Sequence, residues 1–339
     1  MFAALLEKLH QRQDLTVDEA TAAMGAIMDG RATAAQIAGL LVGLRAKGER
    51  PAEIVGLARA MRAHAVPLSR PRPEAFDTCG TGGDGAGTLN VSSLAALVLA
   101  ACGVPVAKHG NRSVSSRCGS ADLFEALGVD VAAPPARVER CLDVAGVAFF
   151  FAPTFHPSMR HAAPARRELG IRTAFNLLGP LTNPAQPGRQ LVGVPRPDMT
   201  ELVARALALL GAERAWVVHG ADGLDEISTC GYTKVSECRA GLVHTFYVHP
   251  SDVGLPKAGR EALGGGDAAT NAALAREVLA GRPGAARDIV LLNAGAGLLI
   301  AGRAASMREG LERAAAALDD GAAAATLDRM VRASRGEAA

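Results

Sequence analysis

The chain has 339 residues, 49 % of them apolar and 4 % aromatic, and its 36 Lys and Arg face 34 Asp and Glu for a formal net charge of +2. A chain this long and apolar can bury a sizeable core over two or three domains, which excludes disorder as the default. Near-neutral charge and few aromatic side chains exclude a general phosphate-backbone binder and a stacking platform for single strands, so no nucleic-acid partner is expected. The six cysteines include no CxxC pair, and MFAALLEKLHQRQ at the start lacks an unbroken apolar core with a cleavage site; reduced thiols, a cytoplasmic location and no membrane partner are expected.

Thr16 with Glu19 is a capping box opening a helix at Val17, with Leu15 set to staple against Ala20, and Asp29-Gly30 closes it. Thr33 with Gln36 repeats the signal, and Ile37, Leu40, Leu41 and Leu44 give that helix one apolar face up to Lys47-Gly48. Pro51 suits the first position of a third helix, with Ile54, Leu57, Ala58 and Met61 inward. These three helices predict a small bundle, a scaffold or lid, and VPLSRPRPEAF (66–76) reads as a hinge or linker into a different domain.

From Phe76 onward short apolar runs alternate with helical ones. Strands are expected at VPVA (104–107), VAFFFA (147–152), LVGV (191–194), AWVVHG (215–220) and IVLLN (289–293). Helices are expected near 92–101, 120–127, 198–210, 269–279, 304–317 and 321–333. This alternation predicts an α/β domain whose ligand loops lie at the carboxyl ends of its strands. The run IVLLNAGAGLLIAG (289–302) is too short to cross a bilayer and reads as a buried strand, a glycine-rich turn and the start of another element.

DTCGTGGDGAGTLNVSS (77–93) contains the spacing GxGxxG at Gly80, Gly82 and Gly85. A dinucleotide site would need an acid about 20 residues on; AACGVPV (100–106) has none, and no Gly-Lys-Ser or Gly-Lys-Thr makes it a Walker loop. What remains is a flexible loop running into a helix start, where free amides receive phosphate oxygens and Thr88, Ser92 and Ser93 add hydroxyls; the alternative is a structural glycine turn. KHGNRSVSSRCGSAD (108–122) gathers lysine, histidine, arginine and four serines, a donor set for phosphate or diphosphate, or else a solvated basic turn. In HGADGLDEIS (219–228), Asp225 and Glu226 suit Mg²⁺ held directly or through water, or serve as helix-start charges. HPSMRHAAPARRELGIRTAFNLLGPLTNP (156–184) carries His156, Met159, Arg166 and Arg167, and one fixed guanidinium in an apolar pocket would suit a small aromatic carboxylate. For His161 and Arg167 a place on a helix surface or in the core is the stronger reading.

With these residues in view, the sequence resembles the anthranilate phosphoribosyltransferase family over essentially its whole length. The resemblance rests on GTGGDG (80–85), NVSS (90–93), KHGNRSVSS (108–116), GSAD (119–122), APARRELGIRTAFNLLGPLTNP (163–184) and HGADGLDE (219–226). It implies a small helical domain, 1–68 with a returning segment near 166–182, joined by hinges to a larger α/β domain at 74–335 of the nucleoside phosphorylase and class II phosphoribosyltransferase type. It also implies a homodimer and Mg²⁺. Carried over residue by residue, it implies that Gly80, Gly83, Asp84, Thr88, Asn90, Val91, Ser92 and Ser93 contact phosphoribosyl diphosphate, together with Lys108, His109, Gly110, Asn111, Arg112, Ser113, Val114, Ser115, Ser116 and Ser120. Ser92, Asp225 and Glu226 match the magnesium positions; Gly80, Asn111 and Arg166 match the anthranilate contacts, with His109, His156, Met159 and Gly179 lining the pocket. Thr78, Cys79 and Ala165 depart from the residues usual in the family without removing a donor. The implied reaction transfers the 5-phosphoribosyl group to the anthranilate nitrogen, the second step of tryptophan biosynthesis. A pyrimidine nucleoside phosphorylase of similar fold and a nonenzymatic nucleic-acid-binding relative are the alternatives.

Overall fold

The computed structural model describes residues 1–113 and 117–337. The chain opens with four helices rather than three: α1 Phe2–His10, α2 Val17–Met28, α3 Ala34–Lys47 and α4 Pro51–Ala63. The capping boxes Thr16/Glu19 and Thr33/Gln36 form at the starts of α2 and α3. The additional helix, α1, has no side-chain cap to announce it; Phe2, Leu5 and Leu9 form its buried face. Buried Glu53 knots the bundle, accepting from Leu15 N–H at 2.9 Å, Arg50 N–H at 2.8 Å and Lys47 Nζ at 3.1 Å.

The second part holds seven strands, β1 Phe76–Asp77, β2 Val106–Gly110, β3 Val147–Phe151, β4 Arg189–Gly193, β5 Arg214–Gly220, β6 Thr233–Arg239 and β7 Leu242–Val248. They form one sheet in the order β3-β2-β1-β4-β5-β6-β7. The first five run parallel and β6 and β7 are antiparallel. Around it lie α5 Val91–Ala101, α6 Ser120–Ala126, α7 Pro135–Ala145, α8 Ala152–Phe155, α9 Ala163–Leu169, α10 Phe175–Leu178, α11 Met199–Leu209, α12 Ala268–Leu279, α13 Ala285–Ile300, α14 Met307–Asp319 and α15 Ala322–Arg335. Among the described residues no helix is long and apolar enough to cross a membrane.

Alternation along the strands divides the core in two. On β5, Trp216 and Val218 join the larger apolar cluster with α5, α13 and α15. Ala215 and Val217 join a second cluster containing α11, the helical bundle and Ala162, Ala165, Ala174, Phe175, Leu177, Leu178 and Leu181. The proline-rich connection is tied down where it crosses: Ser69 N–H donates to Glu139 Oε1 at 2.9 Å and Arg72 Nη1 lies 2.6 Å from Asp143 Oδ1, both acids on α7.

Two expectations are corrected and one element is new. IVLLN is not a strand, and 289–302 is not a strand and a turn: the run belongs to α13 and its first turn beyond. A helix buried on nearly all sides shows no polar face, so its pattern imitates a buried strand. Its glycines serve close packing: a Cβ on Gly310 would overlap the Gly295 carbonyl, so α13 and α14 touch backbone to backbone. Lys108, His109 and Gly110 do not follow a strand but lie in β2, which pairs with β3 through Gly110 and Phe151. The β6–β7 hairpin, unanticipated in the sequence, turns through Ala240 and Gly241 at φ 49° and 78°, the left-handed pair a two-residue hairpin needs.

Candidate active site

Strand order reverses between β1 and β4, so the crevice at the carboxyl ends of these strands is where an open α/β sheet receives its ligand. Asp77, at the end of β1, is fully buried. One oxygen accepts the His109 N–H at 3.1 Å and the other the Asn183 amide at 2.8 Å, while that amide also donates to Ala107 O at 2.7 Å. Burial raises the Asp77 carboxyl to about 6, against the pull of Lys108 and these donors. Lys108 is buried and reaches Thr78 O at 3.3 Å, a cation at the foot of the glycine loop.

The loop leaves β1 and is pinned where Thr81 N–H meets Gly193 O at 2.9 Å and where Thr88 bridges Gly264. Asp84 Oδ1 accepts the Ala86 N–H at 3.1 Å. The chain then enters α5 with Asn90 as a cap that makes no side-chain capping bond. Instead Glu226 Oε1 accepts the Ser92 N–H at 3.1 Å, and Thr78 Oγ1 donates to Ser92 O at 2.9 Å. The Val91 side chain is buried in the core, leaving only its backbone for a ligand, and Ser93 Oγ is buried without a partner among the described residues.

Asp225 and Glu226 follow β5 and come over the end of β4, where a Cβ on Gly193 would overlap the Asp225 carbonyl. Burial raises both carboxyls, Asp225 further through the Asp84 charge and hydrogen bond and Glu226 through Asp225, with Lys108 opposing at Glu226. Asn293 of α13 fixes the loop from below, its Oδ1 accepting Ile227 N–H at 3.0 Å and its Nδ2 donating to Ile227 O at 2.9 Å. Among the described residues no group of three or more His, Cys, Asp or Glu side chains is gathered closely enough to hold a metal unaided. Hard oxygen donors whose pKa values are raised by burial and neighbouring acids suit a cation that keeps waters and shares substrate phosphates.

The second loop begins at Asn111, whose backbone carbonyl accepts Ala121 N–H at 3.2 Å and Ser120 Oγ at 3.3 Å. Arg112 is engaged by α6, at 3.0 Å from Asp122 and 2.7 Å from Glu125, and Ser113 N–H donates to Asp122 at 3.1 Å. Val114, Ser115 and Ser116 lie outside the described residues. The two loops are joined: Asn90 Nδ2 donates to Cys118 O at 3.1 Å, and Asn271 Nδ2 to Asn90 Oδ1 at 2.9 Å.

Beside them stand two buried histidines, His109 and His156, with rings 5.4 Å apart. Burial lowers them to about 3 and about 4, so both are neutral. His109 Nδ1 lies 2.9 Å from Gly179 O, which places the proton on Nδ1, and Nε2 of each ring is buried without a partner among the described residues. Arg166 stacks 4.8 Å over Phe175, and no acid pairs with it among the described residues. Phe175 and Gly179 sit four residues apart, about 6 Å of helical rise, so α10 and the residue after it hold the Arg166 and His109 corners together. Met159 packs at the margin of the bundle cluster, His161 lies against Gly30, and Arg167 is exposed. Asp77, Asn183, Asn271, Asn293 and Arg172, which donates to Gly82 O at 2.8 Å, had not been singled out. Asp77, Asn183 and Arg172 lie inside stretches that were, but nothing local distinguishes their side chains.

A helical-bundle domain model of a glycosyl transferase family matches residues 3–65, and the α/β domain model of a glycosyl transferase family matches 72–324. The anthranilate phosphoribosyltransferase of Moorella thermoacetica is 56 % identical over 331 residues, covering 98 % of each chain. The crystal structure of that enzyme from Thermus thermophilus superposes with a TM-score of 0.91 at 49 % identity, covering 98 % of this chain and 99 % of the other. The Saccharomyces cerevisiae enzyme in complex with phosphoribosyl diphosphate and Mg superposes at 0.89 with 27 % identity, covering 99 % of this chain and 98 % of the other. Glycine loop, acid pair, two-part architecture and end-to-end identity agree: the chain belongs to the anthranilate phosphoribosyltransferase family.

Proposed function

We propose that the chain transfers the 5-phosphoribosyl group from phosphoribosyl diphosphate to the amino nitrogen of anthranilate, releasing diphosphate, as the second step of tryptophan biosynthesis from chorismate. The observation that carries this reading is the placing, at one switch point, of a glycine loop, buried Lys108 and a buried acid pair, beside two neutral histidines and Arg166, which stacks on Phe175 and pairs with no acid among the described residues. Relatives support both substrates: the yeast enzyme has structures with phosphoribosyl diphosphate and Mg and with 4-fluoroanthranilate.

Diphosphate would lie against the glycine loop from Gly80 to Asp84 and the start of α5 from Asn90 to Ser93, with Lys108 beneath it and the loop from Asn111 to Ser120 beside it. Ser92, Asp225 and Glu226 would hold Mg²⁺, which when bound offsets charge gathering on the departing diphosphate. Arg166 would grip the anthranilate carboxylate through its two-pronged face and so set the neighbouring amine, with Gly80 and Asn111 alongside. Because Gly179 holds the Nδ1 proton of His109, the free Nε2 lone pair is an acceptor for an amine N–H. An aromatic amine is neutral at pH 7, so a strong base is not required; closure that excludes water protects the activated sugar.

Residues 1–68 with 166–182, and 74–335, would form the two domains, in a cytoplasmic homodimer. Replacing Asp225 by Asn and Glu226 by Gln together should abolish the Mg²⁺ response of turnover while raising the melting temperature without metal, because burial opposes both charges. An unaltered Mg²⁺ response would remove both from the metal role.

A further inference from the structure

The glycine loop is built from residues that do not hold a shape by themselves. Gly82, Gly83, Gly85 and Gly87 all have left-handed backbones, with φ of 63°, 88°, 65° and 63°, and glycine loses more conformational freedom on ordering than any other residue. Something outside the loop must restrain it. Gly82 is held through its carbonyl, which accepts Arg172 Nη2 at 2.8 Å, next to Thr81, whose N–H is pinned to Gly193 O at 2.9 Å. The same guanidinium lies against Gly83, where a Cβ would overlap Nη1. Asp84 and Asp225 are the acids whose charge it feels, with Arg45 and Arg196 opposing.

Arg172 does not come from the sheet. It follows Gly170, which ends α9 at φ 60°, and precedes Thr173, Ala174 and Phe175, which are buried; Ala174 and Phe175 belong to the apolar cluster of the helical bundle. The side chain therefore spans from the bundle side of the crevice to the phosphate-receiving loop.

We propose that Arg172 is a positioning residue, a strap that holds Gly82 and Gly83 in the shape that receives the substrate's diphosphate and links the order of that loop to the seating of the bundle. It rests on the phosphoribosyl-transfer reading for the ligand, but not for the contact. Loss of the strap costs loop order before binding, so it acts on capture of phosphoribosyl diphosphate and not on the chemical step. The expected loss is about tenfold, the size of one charge-assisted hydrogen bond.

The test compares wild type with Arg172→Ala, Arg172→Gln and Arg172→Lys, each checked for an unchanged melting transition. Hydrogen exchange of the amides of 80–88 is followed in the free protein, and KM and kcat are measured for both substrates. Exchange about tenfold faster in this loop alone, KM for phosphoribosyl diphosphate raised by a similar factor, kcat and the KM for anthranilate within about threefold, and partial rescue by Lys would support the strap. Unchanged loop exchange in folded Ala and Gln variants would overturn it, as would a fall in kcat at constant KM. If Ala fails to fold, the Gln and Lys variants carry the same comparison. Faster loop exchange in a protein that transfers no phosphoribosyl group would leave the strap standing and remove the reaction.

Discussion

Replacing Arg166 by Ala should weaken anthranilate binding and leave phosphoribosyl diphosphate nearly unaffected. The guanidinium is half-buried, stacked 4.8 Å over Phe175 and paired with no acid among the described residues, so it is free to meet a carboxylate in both prongs. Such a charge-assisted contact is worth about 1.5–3 kcal/mol, and at about 1.4 kcal/mol per tenfold this is roughly 10- to 150-fold in affinity. The carboxylate is gripped alike before and during transfer, so the loss belongs in KM for anthranilate with kcat little changed. The assay is initial rate against anthranilate at saturating phosphoribosyl diphosphate and Mg²⁺, with Arg166→Lys keeping the charge but not the fork. A KM for anthranilate within about twofold of wild type would refute the reasoning.

Acid should destabilise the protein through His156, whose pKa falls from 6.5 to about 4 on folding. The unfolded chain takes up this proton first, so the stability is present above pH 6.5 and lost as pH falls towards 4, about 2.5 kcal/mol of it by pH 4.5. Asp77 titrates in the opposite sense in this window, so urea unfolding at pH 7.5 and 4.5 should compare wild type with His156→Gln, and equal pH dependence of the two would contradict the assignment. Asn293→Ala leaves the Ile227 N–H and carbonyl unpaired beneath Glu226; a loss of about 2–4 kcal/mol in denaturant unfolding and a higher Mg²⁺ requirement are expected. Gly193→Ala forces a Cβ into the Asp225 carbonyl. The acid loop must move, so activity should fall at least about a hundredfold in a protein that still shows a cooperative transition, and near-normal turnover would show that the loop tolerates displacement.

Where an element announces itself locally, the sequence is a sufficient guide. Thr16 with Glu19 and Thr33 with Gln36 place two helix starts, and the glycine loop and the Asp225-Glu226 pair are contiguous in the chain and in space. The parts that were not legible depend on partners far away. Asn293 lies inside an apolar run and is the residue that ties α13 to the acid loop. Asp77 holds β2 and the Asn183 turn together from a two-residue strand too short to show a period. Arg172 resembled any helix-flanking arginine until its contact across 90 positions with Gly82 was seen. In α13 the lack of a polar face erased the period that separates helix from strand, and in β7 exposed Leu242 and Tyr247 broke the apolar alternation that would have marked it.

The central claim is met most directly by mixing purified protein with phosphoribosyl diphosphate, anthranilate and Mg²⁺, and following loss of anthranilate together with its N-phosphoribosyl product. Controls omit magnesium or replace anthranilate by other aromatic acids. Product that requires Mg²⁺ and anthranilate is the predicted result. No product from folded protein with any aromatic acid, together with phosphate-dependent cleavage of a pyrimidine nucleoside, would contradict it.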